Sequence, residues 1–377
     1  MSGSPGLLLT VLAFVGVIGP LVFVHEMGHY LVARWCGVKA EVFSIGFGPE
    51  LFGWVDRRGT RWRIALLPLG GYVKFMGDMN AASQSDPAWL ELPAAERAKS
   101  FPAKPLWQRA AIVAAGPVIN LVFAVVLLGG LAYVRGDMES PPVIGKVAPQ
   151  SAAQSAGLRV GDRIVSIMGR NIESFADISA IVSLRPAEPL AYVIDRKGAE
   201  LDLTIAAGTR TETDRFGNVF RIGQLGVGSG PITLRPVELW EAPIIGARHA
   251  VELTRTAMDG LGQVITGRRS IKELGGPLKI ADISGQAAYM GPETFIFLMA
   301  LISINLGFIN LLPIPMLDGG HLLFYGIEAL QRRPVSPVMQ DWAFRSGLLL
   351  LLTMMLFVTF NDLGSFGLWK SLSGLIG

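Results

Sequence analysis

His25-Glu26-Met27-Gly28-His29 is the stretch of this sequence whose residue types and spacing prescribe a chemistry. Positions four apart on a helix share a face, so both imidazoles can grip one ion, with Glu26 next to the first of them. A catalytic zinc takes a third protein ligand and keeps one position open. It lowers the pKa of a coordinated water from 15.7 to roughly 7. Glu26 could then take that water's proton and later hand it to a leaving amine. The bland alternative is a chance HExxH. Its location argues against chance: the motif continues an apolar run, Leu7 to Val24, that holds no charge. A charge at the centre of a membrane span costs on the order of 2.5–3.5 kcal/mol. Two imidazoles and a carboxylate at the end of one need a compensating partner, and a metal ion supplies it.

A third ligand should come from another apolar segment at the same membrane depth. No ionisable residue occurs from Phe295 to Leu317, and Asp318 follows at once. Asp318 is the candidate. It could instead be the N-cap of a helix resuming at Gly319, and His321, three residues on, is a rival ligand or a packing residue. His249 reads as a surface histidine. Asn310, just upstream, could hold a substrate carbonyl or an oxyanion, or satisfy backbone groups freed by a helix break.

The elements that must carry these residues follow from composition. Of 377 residues 51% are hydrophobic and 17% charged, where a soluble domain carries about a quarter charged. The deficit is concentrated in a few long runs, so the fold class is a polytopic α-helical membrane protein of about four spans. A single cysteine, Cys36, excludes an intrachain disulfide and a Cys-rich metal site. A net charge of +3 names no partner, and no nucleic acid is expected.

Seven segments result. Residues 1–36 form a first span ending in the motif. Residues 37–106 form a β-hairpin or small sheet with Val55 to Thr60 as its turn, then a polar loop from Asp78 to Lys104. Residues 107–135 are a second span. Residues 136–210, of soluble composition, alternate strand-like runs (DRIVSIM, LAYVIDR, ELDLTIA) with turns and one short helix near Phe175 to Leu184, enough for a small domain. Residues 211–291 are a Gly-rich connector and amphipathic helices. Residues 292–331 are a third span broken at NLLPIPMLDGGH, since irregular backbone at membrane depth needs cover from protein or a cavity. Residues 332–377 hold a loop and a shorter last span, Gly347 to Phe360. The first 33 residues contain no Lys or Arg, whereas Lys39, Arg57, Arg58, Arg61, Arg63 and Lys74 follow, and Arg332, Arg333 and Arg345 precede the last span. Positive loops stay inside. The 36–106 loop is therefore expected on the cytoplasmic side and the 137–290 region outside.

Taken together, HEMGH (25–29), FSIGFGPEL (43–51), LPLGGYVKF (67–75), AGPVIN (115–120), LGGPLKIA (274–281) and NLLPIPMLDGGH (310–321) resemble the bacterial site-2 protease family, of the regulator-of-sigma-E-protease type, over nearly the whole chain. The resemblance implies an intramembrane zinc metalloprotease of the bacterial inner membrane, with its site toward the cytoplasmic side. It puts the zinc ligands on His25, His29 and Asp318 and the catalytic glutamate on Glu26. It puts a substrate-contacting asparagine on Asn310, and a membrane-associated β-structure on Gly46, Phe47, Gly48 and the following hairpin. An unwound substrate segment could pair with that strand edge, or the hairpin could merely plug the site's mouth. GKVAPQSAAQSAGLRVGDRIVSIMGRNI resembles a PDZ domain of periplasmic proteases, which could bind peptide C-termini, screen substrates by size or act as a spacer. Well-known relatives carry two PDZ domains and this chain has room for one. Substrates implied are single-span membrane proteins such as anti-sigma factors after a first periplasmic cut, and remnant signal peptides. The rival functions are a catalytically silent membrane scaffold and a metal transporter.

Overall fold

Leu7 to Val24 is apolar but for Thr10 and carries no charge, so the chain satisfies its backbone internally as a helix. That helix, α1 (Leu7–Trp35), runs 29 residues, about 43 Å at 1.5 Å per residue. The computed structural model describes residues 5–78, 87–213, 219–231, 233–266 and 275–365. After α1 come strands β1 (Ala40–Val55) and β2 (Arg61–Phe75) and helices α2 (Ala94–Arg97), α3 (Leu106–Arg135), α4 (Ala152–Ser155), α5 (Phe175–Ser183), α6 (Ala242–Ile265), α7 (Pro277–Met290), α8 (Pro292–Asn310), α9 (Asp318–Gln331) and α10 (Pro337–Ser365). Among the described residues four helices are long and apolar enough to cross a membrane: Leu7–Trp35, Leu106–Arg135, Pro292–Asn310 and Val338–Gly364. Parts of the polar loop (79–86), of the connector (214–218), of the stretch before α7 (267–274, with Leu274 of LGGPLKIA) and of the chain's end (366–377) lie outside the described residues.

Contacts divide the chain into two units, one within Met1–Leu131, Gly246–Thr254 and Leu274–Phe360, the other within Ala132–Ile245, Arg255–Glu273 and Asn361–Gly377. In the first, α7 packs along α1 and α8. β1 and β2 are long strands that fold back on themselves. Val42 to Ile45 lie opposite Lys74 to Gly71 on one edge and opposite Arg61 to Ile64 on the other, while Gly53 to Val55 pair with Arg63 to Arg61. The two strands thus make four strips, with Ala40, Phe43 and Ser44 buried in one of the two inner ones. Bending β1 takes a conformation closed to most residues: Gly46 and Gly48 have φ of +91° and +88°, where glycine pays no steric cost. Phe43 stacks on Trp62 and Tyr30 of α1 meets both rings edge-on, joining the sheet to the helix in one aromatic cluster.

The break in the third apolar segment spans residues 311–317, between α8 and α9. Leu317, not Asp318, is the N-cap of α9, and no side chain caps this end. That overturns the capping alternative for Asp318, whose carboxylate stands in the first helical turn. The last span is also longer than expected. It begins at Pro337, a residue favoured at a helix start because its missing N–H is an orphan there, and carries Asp341 and Arg345 in its polar first turns.

The second unit has a four-stranded sheet, in the order Arg170–Asn171, Arg163–Ile167, Pro189–Arg196, Ala199–Ala206, with α5 started by a Ser174–Asp177 capping box. Its apolar core extends past residue 210, the boundary expected from sequence. Leu225 is buried in it and Val227 packs against it, because Val227–Ser229 pairs with Ile144–Val147. Two side chains in this unit give tests. Asp162 is buried, and its carboxylate accepts from Arg196 Nε (2.8 Å), Arg196 Nη2 (2.7 Å) and the Arg159 backbone N–H (2.8 Å). The Arg196 guanidinium holds this carboxyl below the usual carboxylate range. A depressed folded-state pKa stabilises at pH above the unfolded value of about 3.9, and the contribution is lost as pH falls through and below it. The hydrogen-exchange protection of peptides within 144–206, corrected for the intrinsic exchange rate at each pH, should therefore fall below about pH 4 in the wild type. In Asp162→Asn that protection should already be lower at pH 7. Tyr192, fully buried, has a hydroxyl without a hydrogen-bond partner, and burial pushes its pKa up to about 12. Removing an unsatisfied buried hydroxyl relieves a desolvation cost of about 1–3 kcal/mol. Tyr192→Phe should therefore leave the melting temperature unchanged or raise it.

Candidate metal centre

Three side chains from two distant segments converge in the first unit. His25 and His29, one turn apart on α1, present Nε2 atoms 3.3 Å from each other. Asp318 Oδ2 lies 3.2 Å from His25 Nε2 and 3.6 Å from His29 Nε2. Side-chain exposures are only 11%, 12% and 18%. Asp318 Oδ2 is buried and takes no well-directed hydrogen bond. As a hydrogen-bonding group this trio is poor, with three electron-rich atoms facing one point. As a ligand set it fits. Ligand atoms at about 2.0–2.1 Å from a tetrahedral zinc stand about 3.3–3.4 Å apart, and the three separations seen are 3.2, 3.3 and 3.6 Å. Among the described residues these three are the His, Cys, Asp or Glu side chains so grouped that one ion could be shared.

The neighbours orient the rings. His29 Nδ1 donates to the Ile112 carbonyl of α3 at 2.9 Å, which leaves its Nε2 lone pair facing the cluster. His25 Nδ1 lies 3.0 Å from the side-chain amide of Asn120, also on α3. α1 and α3 can approach this closely because the crossing is lined by small residues. A Cβ on Gly28 would stand 2.5 Å from the Ala115 carbonyl, and one on Gly116 would fall on the His29 ring. Helix α9 is held to α3 by Arg109, whose Nη2 donates to Glu328 Oε1 at 2.6 Å and whose guanidinium lies over the Tyr325 ring. Gly319 and Gly320 let the 311–317 segment fold against the start of α9, since a Cβ on either would collide with carbonyls of Leu311, Leu312 or Ile314.

The other expected residues are placed as follows. Glu26 is buried on α1, beside the β2 strip: a Cβ on Gly71 would be 3.1 Å from its Cγ, and the Val73 backbone amide sits by its carboxylate. His321 stands against the Phe344 ring and is not among the grouped ligand atoms. Asn310 is the last residue of α8, half-buried at the break. Phe47, between Gly46 and Gly48, is 42% exposed and stacks on Tyr72. Asn120, Ile112 and Gly116 were not singled out by sequence reasoning. A glycine, a backbone carbonyl and one amide inside an apolar run carry no charge or spacing signal, although AGPVIN brackets two of them.

The comparisons with known proteins agree with this chemistry. The model of Peptidase family M50 matches residues 13–354. The Agrobacterium fabrum protein named "Putative zinc metalloprotease Atu1380" is 44% identical over 361 residues, covering 94% of this chain and 96% of that one. Metalloprotease MmpA of Caulobacter vibrioides is 34% identical over 405 residues, covering 98% and 99%. A family match across most of the sequence, relatives matched over nearly their full length and four helices of spanning length lead to one assignment: this chain belongs to peptidase family M50 and is a multi-pass membrane zinc metalloprotease.

Proposed function

We propose that the protein hydrolyses peptide bonds of single-span membrane proteins within or at the edge of the bilayer, with zinc held by His25, His29 and Asp318. The observation that carries this reading is the convergence of three largely buried side chains, ligand atoms 3.2–3.6 Å apart, two of them on a helix long and apolar enough to span a membrane and the third just past the break that follows another. Zinc bound there supplies Lewis acidity toward a scissile carbonyl and toward water. Glu26, one residue past His25, takes a proton from the attacking water and returns it to the departing amine. The Asn310 side-chain amide, at the break in the third apolar segment, donates to a substrate carbonyl. A helical substrate hides its carbonyls in its own hydrogen bonds, so it must unwind locally. The ribbon around Gly46, Phe47 and Gly48 offers strand backbone for the extended stretch to pair with.

The topology that fits the charge pattern puts the site toward the cytoplasmic side of a bacterial inner membrane, and residues 136–210 in the periplasm. We read residues 136–210 as a single PDZ domain, on their GLRVGD segment and on the apolar core that α5 shares with the four-stranded sheet. Such a domain would meet peptide C-termini of substrates already cut outside. Anti-sigma factors and remnant signal peptides are substrates of this class. Incubating the purified protein in detergent with a model single-span substrate tests the reading. Cleavage mapped within or next to the apolar span, abolished by a zinc chelator and restored by zinc, is the expected outcome. Cuts confined to soluble flanks, or indifference to chelation, would overturn it.

A further inference from the structure

We infer that Asn120 is a positioning residue that accepts, through Oδ1, a hydrogen bond from His25 Nδ1–H, and so presents the imidazole's Nε2 lone pair to the metal. The inference rests on the ligand set proposed above. Asn120 is fully buried on α3, and its side-chain amide reaches His25 Nδ1 at 3.0 Å. As placed, the atom in contact is Nδ2, and Oδ1 is buried with no partner. A side-chain amide's oxygen and nitrogen exchange places by a half turn about one bond, and their assignment follows the hydrogen-bond network.

The network decides between the two orientations. If Nδ2 donates, Nδ1 must be the acceptor, and a neutral imidazole then carries its proton on Nε2. That proton would point into the 3.2–3.3 Å gaps to Asp318 Oδ2 and His29 Nε2 and block coordination. If Oδ1 faces the ring, the proton sits on Nδ1, Nε2 is free, and the orphaned acceptor is satisfied. His29 already has this arrangement, with the Ile112 carbonyl in the acceptor's place. Both rings are thus gripped from α3 by an oxygen, one from backbone and one from side chain. Asn120 is itself fixed from behind. Its backbone carbonyl accepts from the buried Ser303 hydroxyl of α8 at 2.7 Å. One residue of α3 is therefore tied both to a ligand on α1 and to the helix that leads toward Asp318.

The test turns on acceptor against donor. Zinc affinity of the purified full chain is measured by competition with a chelator, with melting temperature recorded alongside. Asn120→Leu keeps the volume and removes the acceptor, and should weaken zinc by about 10–100-fold, the usual effect of losing such a partner. Asn120→Asp keeps an acceptor but cannot donate when ionised, and should bind zinc within about threefold of wild type or more tightly, as carboxylate–histidine–zinc arrays do. Unchanged affinity in the Leu variant, or equal weakening in both, overturns the inference. Should either variant fail to fold, the ring 15N signals of zinc-loaded wild-type protein decide instead: a protonated Nδ1 on His25 supports the inference and a bare Nδ1 overturns it. Absence of stoichiometric zinc from wild-type protein would instead sink the ligand set itself, so the two failures are distinguishable.

Discussion

Glu26→Gln is expected to lower the rate of peptide-bond hydrolysis by about 10²–10⁴-fold, the usual contribution of a positioned general base, while bound zinc stays at the wild-type level. Gln has the shape of Glu and cannot take up a proton, so the change isolates that one role. The grouped ligand atoms come from His25, His29 and Asp318 and none from Glu26, which predicts retained metal. The side chain is buried against the Gly71 strip, and an amide of the same volume fits the same space. The loss should fall on kcat rather than KM, since the interaction removed matters in the transition state. Metal analysis and steady-state cleavage of the model substrate, on the same preparation, check both halves. A Gln variant that has lost its zinc would show that Glu26 holds the site together, and the general-base assignment would fail.

The second large effect is expected at a residue with no side chain. Gly116→Ala should abolish tight zinc binding and cut activity by at least about 10²-fold, the order of loss that a displacement of about 1 Å produces in a catalytic array. The new Cβ would land on the His29 ring, at the nitrogen aimed at Asp318. The ring cannot retreat while Nδ1 keeps its bond to the Ile112 carbonyl, so either that bond breaks or α3 moves off α1. Gly130 is on the same helix with open space around it, so Gly130→Ala is the control and should leave zinc and activity unchanged. Equal zinc affinity in Gly116→Ala and wild type would mean that the helices give way easily.

How much of this could be read from the sequence depends on the kind of signal each residue gives. HEMGH is legible because helical spacing alone puts two imidazoles on one face. Asp318 stands out as a carboxylate at the end of a long stretch without charge. The four spans follow from hydropathy, and the strands and short helix of the second unit from alternation and turn residues. What escaped is set by tertiary contact. Nothing in β1 or β2 announces that Val42 to Ile45 pair on both edges, because a strand's sequence reports its faces and not its neighbours. Leu225 reads as part of a Gly-rich connector until a three-residue strand carries it into the core. The polar opening turns of α10 hide a span's start from a hydropathy window. The N-cap place fell to Leu317 rather than Asp318, since backbone geometry decides a cap and side-chain type only favours one. Asn120 and Gly116 matter through what lies across the helix interface, which one sequence does not display.

The two halves of the proposed ligand set stand 293 positions apart in the chain, at His25 and Asp318. At about 5–20 residues per second of synthesis, the imidazole pair waits on the order of 15–60 s for its carboxylate. A nascent chain, or one terminated early, carries the histidines without the third donor and without the helix that presents it. Such a fragment should be inert toward its neighbours. The order of residues along the polypeptide would therefore work as a delay, the proposed metal site being completed only once the chain has been made past Asp318.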